Sequence, residues 1–218
     1  MKFNAVLVFV SILVGVAIAE VVAQFSLDEF AVRHGPLSFE PGSALKTPGR
    51  KYTDSNRDPD GNLIFDKTYF SDQFGRRPTP LLYGVKRAHL FFGCSFVYGD
   101  GLDEEQTLPS LFSEATGIQA YNYGRGAGGP HWMLSLLSNT NIHDHMRDLY
   151  ERVDVSFVAQ LFHTKRYLGS MHWIGRFGTK DPYYDLEDGK LVDKETFLKG
   201  RFLTSLLYWT AWHSKLVR

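Results

Sequence analysis

The most restrictive feature of this chain is a pair of short apolar runs, each ending in a glycine turn, with one capped helix between them. The first run, His89-Leu90-Phe91-Phe92, stops abruptly at Gly93-Cys94-Ser95-Phe96-Val97-Tyr98-Gly99. Continuous apolar residues predict a short buried strand, and Gly93 and Gly99 permit a tight turn directly after it. Thr107-Leu108-Pro109 then reads as an N-cap with a proline in the first helical turn. Leu108, Leu111, Phe112 and Ala115 follow at helical spacing, and Gly117 stops the helix. The second run, Ile118 to Tyr123, enters Gly124-Arg125-Gly126-Ala127-Gly128-Gly129-Pro130. Strand, turn, helix, strand and turn make a βαβ unit with both glycine turns on one edge. Open α/β sheets bind their ligands at that edge, so Ser95 is the candidate nucleophile; an ordinary loop serine would give the same seven residues.

These residues resemble a known family, the SGNH (GDSL-like) hydrolases. Gly93-Cys94-Ser95 is similar to its first block, commonly Gly-Asp-Ser, with Gly99 and Thr107 at their usual offsets. Tyr121-Asn122-Tyr123-Gly124 is similar to its second block, and the likeness covers residues 87 to 166. The resemblance implies a flavodoxin-like three-layer α/β/α fold on a parallel sheet. It also implies attack by Ser95 on an ester carbonyl, with the N–H groups of Ser95 and Gly124 in the oxyanion hole. Such donors typically contribute a few kcal/mol each to the transition state. The family tolerates changes at the Cys94 position in several membrane-attached branches. Cys94 is the one cysteine, which excludes an internal disulfide, and adjacent positions of an extended turn point to different sides.

Val153 to Phe162 reads as the third core strand, ending at His163-Thr164-Lys165-Arg166. The family's third block supplies an Asn there, which this chain lacks; the stretch is instead similar to a variant branch with Asp-Asp-His-x-x-Arg. Gln160 then offers an amide donor, and His163 either faces the pocket or caps a strand end. His131 directly follows the glycine turn that should border the pocket. His143 and His145 lie two apart on an expected helix, so they face different directions and make poor joint metal ligands; no metal or cofactor is expected. The family's Asp-x-x-His, which supplies the general base and its orienting carboxylate, has no counterpart here. Tyr183 to Val192 reads as a hairpin around Asp188-Gly189. Lys194 to Val217 reads as a long helix with Phe197, Leu198, Phe202, Leu206, Trp209 and Leu216 toward a core. The sheet is thus expected to stop after three of five strands, making residues 87–218 a truncated SGNH-like domain.

Ahead of that domain, Ala5 to Ala19 is unbroken apolar sequence behind Lys2. Residues 1–25 fit a cleaved signal peptide, because Ala17-Ile18-Ala19 obeys the small-x-small rule. They also fit an uncleaved hydrophobic helix, because Phe3 to Phe25 approaches the ~20 residues that span a bilayer. Either reading puts the domain outside the cytoplasm, tethered or secreted. Residues 26–86 read as a connecting segment rich in proline and glycine with a small β-element at Leu63 to Phe70. Arg76 and Arg77 close it, read as a solvated basic turn or, less simply, a grip for an anion. With 218 residues, 44% hydrophobic content and 24 charges of each sign, the chain can bury one core and shows no electrostatic footprint for nucleic acid.

Two functions follow as expectations. One is an exported or membrane-tethered serine esterase acting on a small-molecule, glycan or lipid ester, O-acetyl groups among them, with the missing base supplied by His131 or His163. The other is a catalytically impaired SGNH-like module that binds a glycan or protein partner.

Overall fold

The computed structural model describes residues 49–139, 142–169, 174 and 181–214. The expected signal or anchor at residues 1–25, and the connecting segment as far as residue 48, lie outside the described residues. No described helix is long and apolar enough to cross a membrane.

The fold is mixed α/β. It opens with an antiparallel pair, β1 (Lys51–Arg57) and β2 (Leu63–Phe70). The central unit follows: β3 (Arg87–Gly93), α1 (Ser95–Tyr98), α2 (Leu108–Thr116), β4 (Gln119–Gly124), α3 (Pro130–Asn139), α4 (Ile142–Leu149) and β5 (Arg152–Val158). A short helical stretch, Leu161–His163 running into α5 (Thr164–Tyr167), leads toward the hairpin β6 (Pro182–Glu187) and β7 (Lys190–Thr196). The last elements are α6 (Phe197–Gly200) and α7 (Phe202–His213).

The sheet is three-stranded and parallel, in the order β4-β3-β5. Gly93 of β3 is level with Gly124 of β4 and Val158 of β5, so all three strands end on one line. Between them, Thr107 caps α2 by accepting the Ser110 N–H, and Gly117 ends it in the left-handed conformation. The alternation of β3 divides the core. Leu90 and Phe92 face Tyr121, Tyr123, Met133, Leu136, Ile142 and Met146 on one side; Phe91 joins Val97, Ala120 and Phe112 on the other. Each fully buried side chain of this size contributes about 1.5–3 kcal/mol.

Several elements differ from expectation. β1 lies in a segment read as irregular; its sequence KYTDSNR carries no apolar stripe because both its faces are largely wet. The third core strand ends at Val158 rather than Phe162, and His163 sits in a helical turn, not at a strand end. The expected helix from Lys194 starts at Phe197, with Lys194 in β7, and breaks at Arg201 (φ −137°, ψ 51°). Phe197 is in the core, but Leu198, Phe202, Leu206 and Trp209, expected there with it, are exposed, and Leu216 lies outside the described residues. Arg76 and Arg77 are not a solvated turn: both are buried. The Arg76 guanidinium pairs with Asp72 (2.7 Å), donates to Tyr123 Oη and lies over Tyr121. The hairpin has its expected turn, with Asp188 and Gly189 both at positive φ, as a tight two-residue loop demands.

Candidate active site

Ser95 is the first residue of α1 and is half-buried, whereas its neighbours Gly93 and Cys94 are fully buried. Cys94 is extended, and its carbonyl accepts the Tyr98 N–H, so the chain reverses into the helix within one residue. Gly93 is obligatory here: a Cβ would stand 2.2 Å from Val97 Cγ2. As the first amide of a helix, the Ser95 N–H has no intrahelical acceptor, which leaves it suited to a developing oxyanion.

The turn is clamped from two sides. Asn122 Nδ2 donates to Val97 O (2.9 Å), and Asn122 Oδ1 accepts the Gly124 N–H (2.9 Å). Arg77 Nη1 donates to Tyr98 O (2.9 Å) and Gly99 O (2.6 Å), and Nη2 donates to Leu102 O (2.6 Å). These bonds satisfy carbonyls at the C-terminal end of α1, where a cation is also favoured by the helix dipole. Gly124 packs so closely on this turn that a Cβ would meet Tyr98 N at 2.2 Å. The Gly124 N–H, expected in the oxyanion hole, donates to Asn122 Oδ1 in this structure.

The same strand edge gathers the candidate histidines. His131, at the start of α3, is buried, with Nε2 3.4 Å from Asp181 Oδ2. Its Nδ1 is buried and has no hydrogen-bond partner among the described residues. A Cβ on Gly129 would come within 3.1 Å of that nitrogen, so the glycine turn is what admits the ring. Asp181 is buried too; its carbonyl accepts the Phe197 N–H (3.1 Å), and the Phe197 ring stands edge-on to His131. The C-terminal hairpin thereby fixes the carboxylate.

His163 is buried, and its Nδ1 accepts the Gln160 N–H (3.1 Å). Burial pushes its pKa down to about 4, with the Arg166 guanidinium and His131 adding to the effect. The Gln160 side-chain oxygen is buried without a partner among the described residues. Arg166 Nη1 donates to Gly128 O (2.5 Å), and the same guanidinium bonds the Cys94 side chain. The Arg125 guanidinium stacks 3.3 Å above the Trp132 ring; burial pushes its pKa down to about 10 against the opposing pull of Asp181.

Buried His131, Asp181 and His163 and half-buried Arg125 and Arg166 therefore form one cluster beside the Ser95 turn. No hydrogen bond joins Ser95 to a histidine among the described residues. Asp181 and Arg125 were not anticipated, and Arg166 only as part of the variant motif. Asp181 carried no signal, because it lies 50 residues from the histidine it pairs with. Among the described residues no group of three His, Cys, Asp or Glu side chains is placed to hold a metal ion. His145 packs on Phe74 (5.0 Å), and the side chain of His143 lies outside the described residues.

No protein-family profile matches the chain, and no curated protein is significantly similar to it.

Proposed function

We propose that this chain is an exported or membrane-tethered serine ester hydrolase of SGNH type. In this reading the parallel sheet belongs to a flavodoxin-like three-layer fold, and residues 1–25 form the hydrophobic helix that precedes it. The observation that carries the proposal is the buried His131–Asp181 pair on the strand edge that presents Ser95. A serine hydroxyl needs a base, and the base needs an orienting carboxylate; His131 and Asp181 are of the right chemistry for both. Ser95 Oγ attacks the ester carbonyl while His131 takes its proton, and the Ser95 N–H meets the tetrahedral oxyanion. His131 returns the proton to the departing alcohol, and water then hydrolyses the acyl-enzyme. His163 is the weaker base, because its Nδ1 is occupied and its low pKa keeps it a poor proton acceptor at neutral pH. Substrates are small-molecule, glycan or lipid esters, O-acetyl groups among them.

Two observations favour the second reading, a module that binds a glycan or protein without turnover. Ser95 makes no hydrogen bond to a described histidine, and the Gly124 N–H is committed to Asn122. Fluorophosphonate labelling of the full chain separates the two. The esterase reading expects covalent labelling that Ser95→Ala abolishes and His131→Gln slows at least ~100-fold. An unlabelled, folded chain leaves the binding module.

A further inference from the structure

We infer that α7 is an interfacial helix whose outer face lies on an anionic lipid surface. The inference does not depend on the esterase reading or on the fate of residues 1–25.

The outward side of α7 departs from the usual amphipathic pattern. A helix between a protein and water turns its large apolar residues inward and its polar residues outward. α7 keeps to this only in part. Ser205 is fully buried against the protein, its hydroxyl donating to Phe197 O (2.8 Å), with half-buried Thr204, Tyr208, Ala211 and Trp212 on or beside that inner side. Phe202, Leu203, Leu206, Leu207 and Trp209 face out, with Leu203 at 72% and Leu207 at 67% exposure. Five large apolar side chains on three helical turns form the kind of contiguous patch that marks an interaction surface.

Charge selects the occupant. From Thr196 to Arg218 the sequence contains no Asp or Glu, yet it holds Lys199, Arg201, Lys215 and Arg218, in a chain whose charges balance overall. Lys199 pairs with Glu195, while Arg201 at the helix start donates to Leu168 O and lies near the Tyr183 ring. An acid-free, net-basic segment of this kind complements a bilayer of anionic phospholipid, which accepts the apolar face in its acyl boundary and cations at its headgroups. Trp209, on the exposed face, is of the aromatic type that favours the membrane–water boundary. Twelve residues rise only about 18 Å, too short to cross, so the helix lies along the surface.

The test uses the full chain carrying Leu207→Cys labelled with bimane, against Tyr83→Cys, which is 90% exposed in the loop before β3. Cys94 is fully buried and contributes little labelling. With phosphatidylglycerol vesicles containing a spin-labelled lipid, quenching is expected at position 207 and not at 83. It weakens with phosphatidylcholine, and the docked fraction falls about five-fold for each of Arg201→Gln and Lys215→Gln. Leu203→Cys repeats the reading should Leu207→Cys fold poorly. The inference is overturned if both labels stay equally open to aqueous iodide with anionic vesicles, or if shielding is the same on both lipids. Shielding that follows protein concentration without lipid also overturns it, in favour of a second copy.

Discussion

The turn that presents Ser95 and the helix that ends the described chain treat similar residues in opposite ways. Around Ser95, the polar side chains that clamp the turn enter the core and are satisfied there. Arg77 holds three carbonyls, Asn122 ties β4 to α1, Gly124 lets two backbones meet, and Gly93 admits the Val97 side chain where a methyl group would clash. In α7 a serine is buried while phenylalanine, leucine and tryptophan stand outside. Both regions put polar groups inward, but the first uses them to fix a reactive residue and the second leaves its apolar groups for something else to cover. Inward polarity alone therefore says little about function; what the displaced apolar residues meet decides it.

The sharpest way to break the comparison is Gly124→Ala. The added methyl group would stand 2.2 Å from Tyr98 N and 2.8 Å from Tyr98 Cα, both backbone atoms that cannot swing aside. A loss of about 3 kcal/mol is expected in chemical denaturation, together with loss of any fluorophosphonate labelling. A variant of wild-type stability would show that the two glycine turns are not in tight contact.

A smaller effect tests how dry the site's histidine cluster is. His163 titrates near pH 4 in the fold, against an ordinary value near 6.5. Above pH 6.5 it is neutral in both states and contributes nothing to the pH dependence. As pH falls from 6.5 to 4 the unfolded chain binds a proton that the folded chain refuses, so stability is lost in that window, by about 2 kcal/mol. His163→Gln should flatten this part of the curve. An unchanged slope would mean that water reaches the ring.

How much of this was legible beforehand follows the same division. The βαβ unit from His89 to Tyr123 could be read because its strands are buried on both faces and its helix is capped at Thr107 and Gly117, all local signals. The Asp188-Gly189 hairpin was legible for the same reason. Arg76 and Arg77 looked like a wet basic turn, because nothing local shows that Asp72, Tyr123 and the end of α1 surround them. His131 stands out in the sequence for its place after a glycine turn, but its partner Asp181 arrives through the packing of Phe197, a tertiary contact with no sequence period. In α7 the sequence shows the apolar positions but not their direction, since a helix apolar on most sides does not state which side faces in.

The smallest effect bears on that direction most closely. Leu207→Gln on α7 replaces an outward leucine with a side chain of good helix propensity. If Leu207 meets only water in the isolated chain, burial is not lost, and the change in unfolding free energy should stay within about 0.5 kcal/mol. A leucine packed as Leu136 is would cost about 2–5 kcal/mol on truncation. Denaturation in lipid-free buffer at two protein concentrations reads the difference. A loss above about 1.5 kcal/mol at both would mean that the residue is covered by its own chain. A loss only at the higher concentration would mean that a second copy covers it. A near-neutral result at both leaves α7 exposed until a bilayer is added, and it makes the lipid-dependent shielding at position 207 a property of binding rather than of folding.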